Sequence, residues 1–340
     1  MSELNLWLIG GGAAVGALFA VAVQRFRFCL IAAVGNFVLI RDTRQVMTLA
    51  SALLVAIGGT QLLEIFEVVD IAQASYRDAT LDWLGAALGG LIFGVGATLA
   101  GGCAARTLVS TMEGSVHALI VLLTFALVAA LVQFGFLEPY RVALTGATAI
   151  TLQGDAGVAT LLALSPWWVL LAVMAALSGF ILYCWRRSPN PGLLLVGVMV
   201  GLLVVASWYL TGVVAQDEFM PTRPSAMTMS GPLSRAGYFL ISGQLAEPSF
   251  AIAFAVSMAV ASLLLAVATR QFRITLPAKG MVKIAVAGGA LMGLGAIMAY
   301  GCNVGQGMSG LSTLSLESMI AVVGIVSGIA ATTRWMEHRG

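Results

Sequence analysis

GGLIFGVGATLAGGC at residues 89–103 and GGALMGLGAIMAYGC at residues 288–302 match at 8 of 15 positions when aligned on their final cysteine. Paired glycines at this spacing let membrane helices approach backbone to backbone, and generic packing of that kind would explain the glycines alone. It does not explain why both runs end in Gly-Cys and give way to a short segment flecked with polar residues. The two runs therefore read as a duplication. The first lies in the third apolar span of the chain and the second in the eighth, so five spans separate them and they cross the membrane in opposite directions. That is the arithmetic of an inverted repeat, which places a binding site near the bilayer midplane where broken helices meet. Repeat 1 covers about 1–137, a connector helix about 166–187, and repeat 2 about 191–340.

The rest of the chain agrees with a membrane setting. Hydrophobic residues make up 60% of it and charged residues 9%, with a mean hydropathy of +0.99. A soluble domain carries about 25% charged residues. A helix needs about 20 apolar residues to cross a bilayer, and nine runs qualify: 6–24, 47–66, 81–100, 116–136, 167–185, 192–214, 250–269, 282–300 and 316–333. Shorter apolar pieces at 28–40, 103–112 and 303–312 read as re-entrant half-helices. The expected fold is an all-α integral membrane protein with a single transmembrane transporter domain. No basic region precedes the first run, so a cleavable signal peptide is not expected.

Charge sets the expected orientation. With the N-terminus outside, 13 of 17 basic residues fall on the inner side, leaving Arg77, Arg141, Arg223 and Arg235 outside. Only Asp42, Glu113 and Glu337 of the 15 acidic residues join them inside. A miscounted span would scramble this positive-inside pattern. The expectation is an inner-membrane protein with its C-terminus in the cytoplasm.

Several functions are disfavoured. The GGG at 10–12 opens an apolar helix without a phosphate-binding lysine, so no nucleotide site is expected. The four cysteines, at 29, 103, 184 and 302, form no CxxC and lie far in sequence from His117 and His338. Neither a zinc site nor a disulfide framework follows. No basic surface interleaved with aromatics offers itself to nucleic acid, and no cofactor is expected.

What remains is the chemistry of the two Gly-Cys corners. A helix that starts inside the membrane presents unpaired N–H groups and the positive end of its dipole. Segments 104–112 and 303–311 would each supply such an end to an anion, with Gly102 and Gly301 making the turn. A thiol is a weak donor with a soft sulfur. It suits a ligand sulfur better than a hard oxyanion. Cys29, after QRFRF, has no cysteine partner in the second half, where 192–212 is the nearest match and Trp208, Tyr209 and Thr211 hold the fourth corner. Cys184 reads as packing. Arg25 and Arg27 read as anchors, Arg106 as either anchor or anion attractor, and Asn303 and Gln306 as partners for irregular backbone rather than selectors of substrate, with Asn303 and Arg106 kept beside Cys29, Cys103, Cys302, Gly102 and Gly301 as candidate substrate-binding residues. Glu113 and Glu317 read as caps of the spans they precede, His117 as interfacial, and 216–232 as an external lid or plain connector. The sulfur-site reading competes with a thiol redox or sulfur-transfer enzyme, which the lack of a base beside any cysteine disfavours, and with a membrane anchor that moves nothing.

The duplicated glycine-rich stretch ending in Gly-Cys, the apolar spans and the cysteine after QRFRF together resemble the YeeE/YedE sulfur-transport membrane proteins over nearly the whole chain. That resemblance implies an hourglass-shaped protein in which opposed short helices bring cysteines to a constriction. It implies uptake of thiosulfate, relayed by S–H···S contacts through Cys29, Cys103 and Cys302, with Cys184 outside the motifs. It also implies a cytoplasmic small sulfur-carrier protein as a plausible partner, and leaves other sulfur or selenium species as alternative cargo.

Overall fold

The structure is a computed structural model that describes residues 3–152, 154–216, 223–244, 247–278 and 280–338. Residues 1 and 2 at the N-terminus, 217–222 of the expected lid or connector, and Lys279 and Arg339 of the charge count lie outside the described residues. In chain order the helices are α1 (Glu3–Arg25), α2 (Leu30–Ile40), α3 (Arg44–Ile65), α4 (Trp83–Ala100), α5 (Ala104–Met112), α6 (Val116–Phe134), α7 (Glu138–Thr148), α8 (Val158–Leu161) and α9 (Pro166–Arg187). They continue as α10 (Pro191–Tyr209), α11 (Ser230–Ser242), α12 (Phe250–Ala268), α13 (Met281–Met298) and α14 (Leu316–Glu337). Leu210–Val214 and Gly305–Gly310 are wound as π-helix. Nine described helical stretches are long and apolar enough to span, and they coincide with the nine runs read from the sequence.

At the centre α4 crosses α13, and the glycines explain how closely. A Cβ on Gly96 would lie 2.8 Å from the Gly288 carbonyl, and one on Gly295 would lie 2.6 Å from the Gly89 carbonyl. The helices are therefore antiparallel and in backbone contact at both ends of the crossing. The surrounding contacts come in matched pairs. α4 packs on α14 as α13 packs on α6, α1 on α12 as α10 on α3, and α2 on α14 as α11 on α6. α9 packs on α3 and is otherwise largely uncovered by protein, with 17% of its apolar window buried.

Two expectations need correcting. Helix α11 occupies in the second half the position that α2 holds in the first, yet part of it falls in the stretch 216–232 read as a lid or connector. Its sequence, SGPLSRAGYFLIS, is too short and too interrupted by Ser, Pro and Arg to register as a span. The corner that matches Cys29 in space is accordingly the start of α11, not Trp208, Tyr209 and Thr211. Trp208 and Thr211 are buried, and the Trp208 Nε1–H donates to the Ser312 hydroxyl at 2.9 Å.

The loops opposite the α5–α6 turn form a cap, with a two-stranded pairing of Thr80–Leu81 and Ile150–Thr151. Arg77, 5% exposed, anchors it by bonding Glu64 of α3 and, at 2.6 Å, Asp155. Ser315 donates to the Tyr76 carbonyl, and the Leu316 N–H donates to the Ala156 carbonyl at 3.0 Å. The cap is thus tied to the start of α14.

Candidate functional site

The three cysteines singled out from the sequence share one local geometry. The carbonyl of each accepts the first i+4 bond of a helical turn: Ala33 N–H to Cys29 at 3.1 Å, Thr107 N–H to Cys103 at 2.8 Å, and Gln306 N–H to Cys302 at 2.7 Å. Each follows by two residues a backbone in the left-handed region, at Arg27 (φ 53°), Gly101 (φ 79°) and Tyr300 (φ 51°). The break thus falls one residue earlier than expected, because Gly102 and Gly301 do not themselves adopt positive φ. Their role is space. A Cβ on Gly301 would meet the Gln306 side chain at 2.8 Å, and one on Gly102 would meet that of Arg106 at 3.2 Å.

The starts of α2 and α5 converge, bringing Cys29 Sγ to 3.9 Å from Cys103 Sγ with both thiols buried. Cys103 faces a cavity of about 50 Å³ whose far wall is Asn303, Val304 and Gly307, the segment that follows Cys302. Phe19, Phe28 and Leu53 close its sides. Asn303 is buried and its Oδ1 has no hydrogen-bond partner. This volume holds one or two waters, given about 30 Å³ per water in the liquid. The constriction beside Cys103 is therefore narrow in this conformation.

On one side of the constriction lies a cavity of about 350 Å³ lined by Gln24, Arg25, Arg27, Arg106 and Glu113. Arg106 reaches Glu113 at 3.8 Å and the Val23 carbonyl at 3.4 Å. Gln24 is buried with neither side-chain atom partnered. Three arginines against one carboxylate make this vestibule positive. Arg25 and Arg27, read as anchors, line it together with Arg106.

The other side holds residues that the sequence reading passed over. A cavity of about 230 Å³ is lined by Tyr76, Gln133, Arg141, Ser225, Thr228 and Ser230, among others, and the start of α11 opens onto it. Arg141 approaches the Tyr300 hydroxyl at 3.3 Å while its Nε stays unpartnered. Burial pushes the Tyr76 hydroxyl above its ordinary range, with nearby Cys302 adding to the effect, so it remains a neutral phenol that contacts Thr228. Among the described residues no carboxylate lines this cavity. A cluster of donors at a helix start beside an arginine suits an oxyanion. The one signal in the sequence was the hydroxyl-rich SAMTMS at 225–230, inside the stretch read as a lid or connector.

Cys184 is a free cysteine buried in α9. Glu113 sits at the end of α5 rather than capping α6, whose first turn is capped by Ser115.

Comparison with known proteins bears on this arrangement. The family described as sulphur transport matches residues 25–331. The thiosulfate transporter TsuA of Escherichia coli (strain K12) is 25% identical over 352 residues, covering 97% of this chain and 95% of the relative. The thiosulfate transporter TsuA of Spirochaeta thermophila is 26% identical over 340 residues, covering 94% and 97%.

Proposed function

We propose, for a chain that belongs to the sulphur-transport family, that the cargo is thiosulfate and that it moves inward past Cys302, Cys103 and Cys29. The hydroxyl- and Arg141-lined cavity receives the dianion by its hard oxygens. The thiols then take its soft terminal sulfur by S–H···S contacts, each weak enough to release, as conduction requires. Beyond Cys29 the arginine-lined vestibule draws the anion out of the constriction, where a small sulfur-carrier protein would be its recipient. The positive-inside bias makes that vestibule cytoplasmic and the Arg141 side external, in the inner membrane with the N-terminus outside. The observation that carries this reading is the meeting of Cys29 and Cys103, 74 residues apart, at 3.9 Å on two helix starts. Reciprocal glycine contacts between α4 and α13, and the matched helix pairs around them, support reading the two halves as inverted repeats.

The test is uptake of sulfur-labelled thiosulfate by cells lacking their own importers, comparing wild type with Cys103→Ala and Cys302→Ala at matched expression. Wild type imports the label and both variants lose at least nine-tenths of the rate. Uptake surviving both substitutions would remove the thiols from the path. Label that never enters with wild type would remove thiosulfate as the cargo.

A further inference from the structure

Beside the cavity that holds Arg141 lies a larger one of about 580 Å³, and the two share Ser75 and Tyr300. The larger is acidic, lined by Asp78, Asp82 and Glu317. Glu317 is 6% exposed and Asp82 4%. Asp82 Oδ1 accepts the Gly85 N–H at 2.9 Å as the cap of α4, while its Oδ2, turned away from that bond, has no partner. The carboxylate of Glu317, in the first turn of α14, has no ion pair or hydrogen bond with any described residue. Among the described residues no cation pairs with it: Arg141 of α7, the nearest unpaired one, leans on the Tyr300 hydroxyl at 3.3 Å and lines the smaller cavity instead. Arg77 is taken by Glu64 and Asp155, and Arg223 is exposed and paired with Asp78 at 3.0 Å. Tyr76 and Tyr300 are the other titratable groups on this side, and the described residues of α4 and α2 carry no charge toward it. An ionised carboxylate so placed is costly unless it is neutralised.

Its position makes that state matter. Ser318, the next residue, donates to Gln306 Oε1 at 2.5 Å, and Gln306 N–H bonds the Cys302 carbonyl. Glu317 therefore neighbours the residue that braces the turn bearing the first thiol, and its cavity adjoins the anion cavity at Ser75 and Tyr300. A dianion approaching a second buried negative charge is repelled strongly in a low-dielectric site. No group of three or more His, Cys, Asp or Glu residues among those described could hold a metal ion. The fitting cation is the smallest one. We propose that Glu317 binds a proton from the external side and that thiosulfate is admitted to the Cys302 turn only while that proton is bound. This rests on the transport reading above and adds to it a proton site and a condition on its occupancy.

The experiment is thiosulfate counterflow into proteoliposomes, with equal pH on both sides and the membrane potential clamped at zero, from about pH 5 to pH 9, the range in which buried carboxyls take up protons. Wild-type exchange falls as pH rises and Glu317 ionises. Glu317→Gln, neutral at every pH, holds the acid-side rate across the range. Asp82→Asn keeps the cap but removes a neighbouring negative charge, so Glu317 gives up its proton more readily. Its falling limb moves toward acid by about one unit, which tests the idea even if the Glu317 variant does not fold. A flat wild-type profile, a Glu317→Gln profile that falls like wild type, or an Asp82→Asn limb that stays in place overturns the proposal. Wild type that exchanges no thiosulfate at any pH overturns the transport reading itself.

Discussion

Oxidation of the Cys29–Cys103 pair should close the path reversibly. The two sulfurs stand 3.9 Å apart, and a disulfide needs about 2.05 Å, so the sulfurs must approach by roughly 1.9 Å, which side-chain rotation can largely supply. The bond would remove both S–H donors from the constriction and fasten together the two helix ends that border it. Because it spans 74 residues of chain, loop-closure entropy alone adds about 4 kcal/mol to the stability of the oxidised protein. The assay is a diffusible dithiol oxidant applied to purified protein, followed by thiol titration, peptide mapping and uptake in proteoliposomes. Free thiols fall from the four present to two, mapping joins Cys29 to Cys103, the unfolding midpoint rises, and uptake drops at least tenfold until a reductant restores it. A mapped Cys29–Cys103 bridge with uptake unchanged would refute the relay. A bridge to Cys302 instead would refute the placement of the thiols.

Three further perturbations address capture, crossing and cap. Arg141→Gln should raise the KM for thiosulfate about tenfold or more with little change in maximal rate, since a hydrogen bond to a charged group contributes about 1.5–3 kcal/mol; an unchanged KM would place capture elsewhere. Gly295→Ala brings a Cβ within 2.4 Å of the Phe93 nitrogen, whereas Gly179 in α9 has nothing within 4 Å. The first should cost folded yield and lower the unfolding midpoint by an overpacking penalty of about 1–3 kcal/mol, and Gly179→Ala should do neither, as read by size-exclusion chromatography and a thermal melt. Arg77→Leu strands Glu64 and Asp155 without their cation and should destabilise by about 3–5 kcal/mol, with Arg77→Leu/Asp155→Leu recovering part of the loss in the same melt.

Spans, half-helices and cysteines were legible because each left a physical trace in the chain. A run of about 20 apolar residues has few uses outside a bilayer, and the repeated Gly-Cys pattern marked the α4–α13 crossing directly. What could not be read had no such trace. Tyr300 takes the left-handed conformation that Gly101 takes in the other copy, and no aromatic residue advertises positive φ. The reader of sequence therefore assigns the turn to the glycine shared by both copies, one position late. Arg141 and Tyr76 lie in loops and a short helix whose side chains meet only through the cap, 65 positions apart in the chain. Glu317 looked like a helix cap because Glu is favoured there; only its burial without a partner separates the two roles.

The matched helix pairs also make the mismatched corner informative. Three corners present a thiol at the start of a helical turn, at Cys29, Cys103 and Cys302. At the fourth, the start of α11, Met229 holds the equivalent place, its carbonyl accepting the Leu233 N–H at 3.2 Å, and it is flanked by Thr228 and Ser230, whose hydroxyls lie 3.2 Å apart in the Arg141 cavity. Hydroxyls and guanidinium are hard donors and thiols are soft ones. Thiosulfate has an end for each: three oxygens and a terminal sulfur. On the proposed path the ion meets the hard corner first, with its oxygens held on the external side, so that its sulfur leads into the thiols. Sulfate would fit the first corner and find no partner in the next three. Exchanging Thr228 and Ser230 for cysteine should therefore weaken capture without widening the cargo, whereas replacing Cys302 and Cys103 with serine should erode discrimination against sulfate, measured as competition with labelled thiosulfate. Equal competition by sulfate in wild type and the serine variant would mean that the thiols do not select the cargo.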